Sequence, residues 1–179
     1  MIVINRIFIG MIFLFLDFNL DFNGSRIGLL PDFIGYIFIL RGLNELAGFS
    51  SCFVKVMPHV KVMAVYAAVI YAMSLFGVYI DASLGLLLGF VTMLLALFIS
   101  YNIVMGVKDI EADSGQSLNS GQLYSAWRLL AIFQVLTFVL LYIQTLTTLC
   151  ILAVLIAQIY YLYVFNITKR LFYEQNPLL

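Results

Sequence analysis

Asp17, Asn19, Asp21, Arg26 and Asp32 are the side chains of this sequence best suited by type and spacing to do chemistry. Asp17 ends the wholly apolar run Ile7–Leu16, and Asp32 opens the run that continues from Phe33 to Leu40. Two carboxylates brought close together in a dry site cannot both stay ionised. One takes a proton, a cation lies between them, or Arg26 pairs with them. Pro31 suits the first position of a helix, which puts Asp32 in its first turn, where the dipole favours an anion. On a helix, Asp17 and Asp21 share a face; on extended chain, Asp17, Asn19, Asp21 and Asn23 all project to one side, alternating with Phe18, Leu20 and Phe22. Two readings follow. These groups form a site for a cation, a proton or a polar ligand, or they cap an outward loop with Arg26 bridging Asp21 or Asp32. A calcium loop is a poor fit, because Asn19-x-Asp21-x-Asn23-Gly24 reaches Leu30 at its twelfth position where a bidentate Glu is needed. Cys52, Cys150 and the single histidine, His59, cannot supply a zinc site. No metal or cofactor is expected.

The elements that position these residues belong to a membrane protein. With 64% hydrophobic and 10% charged residues, the chain has too little polar surface to clothe a water-facing exterior. A span needs about 20 residues to cross about 30 Å of hydrocarbon. Charged residues mark the ends, and the pattern predicts an all-α integral membrane protein, a bundle of six transmembrane helices in one domain over 1–179. The spans are expected at about 2–20, 29–47, 62–80, 84–107, 123–143 and 147–168. Arg6, Arg41, Lys55, Lys61, Lys108, Arg128, Lys169 and Arg170 then fall on one side and only Arg26 on the other. That bias places both termini in the cytoplasm. It also disfavours a re-entrant second run, which would carry Arg41, Lys55 and Lys61 outside. Counted from Arg6 and Arg41, Asp17 and Asp32 lie about 16 and 14 Å away along a helix, so both reach the outer half of the bilayer at similar depth.

Other segments are read more plainly. Residues 48–58 carry Phe49, Phe53, Val56 and Met57 at helical spacing and predict an interfacial helix stopped or kinked by Pro58. Residues 108–122 form a hydrophilic cytoplasmic loop that could dock a protein partner. Gly85 and Gly89 permit a close helix contact, Gln134 and Gln158 are placed to hydrogen-bond across helices, and Arg41 and Glu45 are partners one turn apart. Tyrosines near the run ends, Tyr71 among them, resemble interfacial belts. No nucleophile–base pair, phosphate loop or zinc-protease motif is present, so the chain is not expected to be an enzyme. Its zero net charge gives no field favouring nucleic acid.

The stretch from Gly28 to Leu46, with its core Leu30-Pro31-Asp32-Phe33-Ile34-Gly35-Tyr36, and the stretch from Gly106 to Glu111 resemble small uncharacterised polytopic membrane proteins of Gram-positive bacteria. The resemblance implies a bacterial plasma membrane and assigns no activity. Function is therefore expected to be that of a small transporter or channel-like protein with an outer acidic site, or of a non-enzymatic accessory protein in which the acidic hairpin is structural. The partners expected are the lipid bilayer, a cation or proton at the acidic site, and a protein at the 108–122 loop.

Overall fold

The structure, a computed structural model, describes residues 3–15, 19–22, 25–28, 31–78 and 81–175. It holds six helices: α1 (Val3–Phe15), α2 (Asp32–Leu46), α3 (Ser51–Leu75), α4 (Ala82–Ser114), α5 (Ser120–Val139) and α6 (Gln144–Gln175). Between α1 and α2 runs an antiparallel hairpin of β1 (Asn19–Phe22) and β2 (Ser25–Gly28). Four helices, α3 to α6, are long and apolar enough to cross a membrane. The 13 residues of α1 and 15 of α2 reach only about 20 and 23 Å.

Each helix packs on its neighbours in sequence, and α6 returns to pack on α1, so the described helices form a ring in chain order with no pairing across its middle. The ring is filled at one end only. Buried side chains come from the start of α1 (Ile4, Ile7), the end of α2 (Leu43, Leu46), the start of α3 (Phe53, Val56, Val60), the end of α4 (Ile103, Val104, Val107), the start of α5 (Leu123, Ala126) and the end of α6 (Val164, Phe165, Phe172). Those positions lie together because alternate helices run in opposite directions. This closed end is also tied by polar contacts. The Arg6 guanidinium pairs with Glu45, joining α1 to α2. Lys169 donates to the Asn5 side chain at 3.3 Å, the Asn5 backbone N–H donates to the Tyr173 hydroxyl at 3.1 Å, and Phe8 stacks on Phe165, joining α1 to α6. Ser50, which caps α3, also donates to Asp109 on α4.

Two close approaches let the helices meet. A Cβ added to Gly10 would lie 2.5 Å from the Gly35 carbonyl oxygen, and one added to Gly35 would lie 2.8 Å from that of Gly10, so α1 and α2 touch backbone to backbone. Gly106 leaves room for the Phe53 ring, which a Cβ would meet at 2.3 Å. Without a hydrophobic drive between helices in lipid, such contacts matter, because they bring many dispersion-bonded atoms into range.

Several expectations need correction. The first span does not run to residue 20: α1 ends at Phe15, and Asn19 and Leu20 belong to β1. Asp and Asn are weak helix formers because their short side chains compete for backbone hydrogen bonds, and Asn23-Gly24 between alternating residues is a strong hairpin signal. There is no separate interfacial helix over 48–58, because α3 continues through Pro58. Phe53, Val56, Val60 and Met63 keep one helical phase and all are buried, which outweighs the roughly 3 kcal/mol that an internal proline costs. Residues 108–114 are not a loop but the last two turns of α4, since Val107 and Ile110 extend its buried stripe. Glu111 then accepts from the backbone N–H groups of Leu118 and Ser120, both at 2.9 Å, fixing the short turn into α5. Glu45 pairs with Arg6 of α1 rather than with Arg41. Gly85 has nothing within 4 Å of an added Cβ, so the Gly85–Gly89 pair makes no close helix contact.

Replacing Gly10 by Ala should lower stability by about 1–3 kcal/mol, because the new methyl meets backbone that cannot move aside. Gly85→Ala should stay within about 0.5 kcal/mol of the parent. Unfolding of the two variants in detergent checks this; equal stability would show that α1 and α2 do not meet at Gly10.

Candidate functional site

The other half of the ring is hollow. A cavity of about 670 Å³ lies among the halves of all six helices that are remote from the packed end. Five helices contribute a stripe at helical spacing and α1 contributes its last two residues: Leu14 and Phe15 on α1; Asp32 and Tyr36 on α2; Met63, Tyr66, Ala67, Ile70, Tyr71 and Ser74 on α3; Gly89, Thr92, Met93 and Ala96 on α4; Gln134, Thr137 and Phe138 on α5; Ile151, Val154, Leu155 and Gln158 on α6. The floor is the packed end of the ring, where Met63, Met93 and Tyr36 are buried. The hollow exists because small residues, Ala67, Gly89 and Ala96, face inward where larger ones would meet.

Polar groups punctuate this apolar wall. Asp32 begins α2, with Pro31 as the residue before its first turn, so its carboxylate is held at the positive end of a helix. Tyr36 follows one turn later on the same face, within electrostatic reach of both Asp32 and Tyr66. Tyr71 is oriented by an edge-to-face contact with Phe33, with ring centroids 5.7 Å apart. Three hydroxyls donate to their own helix: Ser74 to the Tyr71 carbonyl at 2.7 Å, Thr92 to Gly89 at 2.9 Å and Thr137 to Phe133 at 2.9 Å. Gln134 and Gln158 are half-buried and face the same space. By ring order, α2 and α3 stand opposite α5 and α6, so the carboxylate and phenols look across the cavity toward the two amides.

Of the residues singled out in sequence, Asp32 lines this cavity. Asn19, Asp21 and Arg26 lie on the hairpin, where backbone register sets Asp21 opposite Arg26 and Asn19 opposite Gly28, and β2 lies against α3. Asp17 lies outside the described residues. The two glutamines were expected to bond across helices; both instead border open space, with no hydrogen bond to each other. Tyr71, one of the tyrosines near a run end, also lines the cavity. Tyr36 and Tyr66 carried no distinguishing signal, beyond Tyr36 falling four residues after Asp32. His59 packs against Phe98 with ring centroids 4.8 Å apart, away from the cavity lining.

Comparison with protein-family models, with curated proteins and with solved structures returns no match.

The cavity has the size and polarity to hold water. In a background with Cys52 and Cys150 replaced by Ser, cysteines at Ser74, Gln134 and Gln158 should react with a charged thiosulfonate roughly a hundredfold faster than one at Val104 in the packed end. Equal, slow labelling at all four positions would mean that the cavity is dry.

Proposed function

We propose that this chain is a multi-pass protein of the bacterial plasma membrane that acts as a small transporter, with the ring cavity as its solute site and Asp32 as the group that couples binding to a proton or cation. The observation that carries this reading is a cavity lined by polar side chains on helices whose outer surfaces are apolar, with an ionisable group at its edge. Exposed Val62, Val65, Leu87, Val91, Ile132, Ile156 and Ile159 face away from the ring, as lipid contact requires. A carboxylate among such helices is costly and, in membrane proteins, marks pathways for ions and polar solutes.

Six crossings follow if the α1–α2 hairpin completes the ring through the bilayer. Eight of the nine basic residues belong to the closed-end halves of their helices, so that end faces the cytoplasm and the cavity occupies the outer half. The backbone edges of a two-stranded hairpin cannot be satisfied by hydrocarbon, and the position of β2 against α3 keeps that strand on protein. The resemblance of residues 28–46 to small polytopic proteins of Gram-positive bacteria supports the same location.

Protein reconstituted into liposomes should carry a proton or cation flux under an imposed gradient, read with an internal dye. Asp32→Asn should lower that flux at least about tenfold, as expected for losing one hydrogen bond to a charged group, about 1.5–3 kcal/mol. A flux that is unchanged in the variant would sink the proposal.

A further inference from the structure

The chemistry of the lining narrows what the cavity can take. Ser74, Thr92 and Thr137 have each spent their single hydroxyl proton on a carbonyl of their own helix, so toward the cavity they offer only lone pairs. Asp32 adds carboxylate oxygens and the two glutamine amides add carbonyl oxygens. The phenols of Tyr36, Tyr66 and Tyr71 and the amide N–H groups of the two glutamines add donors, so the lining presents both kinds of hydrogen-bonding group around an apolar wall, and the ligand it fits brings polar groups as well as an apolar body. Lys, Arg and His are absent from the described lining.

Size separates the remaining candidates. At about 30 Å³ per water, 670 Å³ holds roughly 20 molecules of water, far more than the cage of a dehydrated ion. Among the described residues no three His, Cys, Asp or Glu side chains gather as metal ligands. The volume lies within the range of sites for drug-sized organic ligands, about 300–1,000 Å³, and Phe15, Phe138, Ile70 and Val154 offer the apolar wall such a ligand needs.

We infer that the cavity binds an amphipathic organic molecule with an apolar, ring-containing body and hydrogen-bonding amine or hydroxyl groups, rather than a bare inorganic ion. The ligand's donors meet the oxygens of Asp32, Ser74 and Thr92 and the carbonyls of Gln134 and Gln158, and its acceptor lone pairs meet the phenols of Tyr36, Tyr66 and Tyr71. The assignment rests on the reading of the cavity as the transport site.

Full-length protein in nanodiscs of phosphatidylethanolamine and phosphatidylglycerol, titrated with tritiated propranolol, tests it without any gradient. Propranolol carries an aromatic body with one amine and one hydroxyl. Saturable binding at one site per chain is expected. The analogue methylated on oxygen and fully on nitrogen keeps the body and charge but has no donor, and it should compete at least about tenfold more weakly. Sodium chloride should not compete. Ala96→Trp, which fills the cavity without removing a polar group, should abolish binding. Should that variant fail to fold, Gly89→Leu serves, because a Cβ there has the Phe138 ring as its nearest neighbour at 3.9 Å. Absence of saturable propranolol binding, equal competition by the methylated analogue, or unchanged binding in a folded cavity-filled variant would each overturn the assignment. Binding without an Asp32-dependent flux would leave the ligand assignment standing and remove the transport reading. Flux without propranolol binding would do the reverse.

Discussion

A ring of helices can stay hollow in one half only if its other half holds it shut. In this chain that task falls to the closed end, where the buried apolar side chains of six helices converge and where Arg6–Glu45, Ser50–Asp109 and Asn5–Lys169 tie neighbouring elements. The cavity depends on this asymmetry. If packing were spread evenly along the helices, the hollow halves would close on one another and the inward-facing Gln134 and Gln158 would have to pair or leave. Buried polar groups that find no partner cost free energy. A hollow lined with water-accessible polar groups avoids that cost, because water or a ligand satisfies them instead.

The closed end can carry this load because its contacts are short. Helices in lipid gain little from burying apolar surface against one another, so close atomic packing supplies much of the stability. Gly10 and Gly35 bring two backbones together, and Gly106 admits a whole aromatic ring. By contrast Gly85 meets nothing, and Gly89 borders the cavity. The same residue type serves contact in one half and vacancy in the other.

Much of the helical framework was legible in sequence. Long apolar runs located α3 to α6, and the short runs around Asp17 and Asp32 marked the first hairpin as different. Boundaries were harder where polarity and periodicity disagreed. Residues 108–114 look like a loop by composition, yet Val107 and Ile110 keep the phase of α4. Pro58 looks like a break, yet the stripe from Phe53 to Met63 passes through it. The strands are foreshadowed by Asn23-Gly24, a dipeptide that favours a tight hairpin turn over a continuing helix. The cavity itself was not legible. A glutamine that bridges two helices and one that faces a hollow have the same local sequence, and the difference lies in which helices are neighbours around the ring. That order comes from the return of α6 to α1, contacts separated by more than 160 residues.

That return also governs the order in which the molecule can be assembled. Because each helix packs on the one made just before it, every new helix leaving the ribosome meets a partner already in place, and five of the six helix interfaces form between sequence neighbours. The sixth, between α1 and α6, waits for α6 itself. Its contacts, Phe8 on Phe165 and Asn5 with Lys169 and Tyr173, therefore join the first helix of the ring to the sixth, and until they form the ring is an open arc with its polar lining exposed along one side.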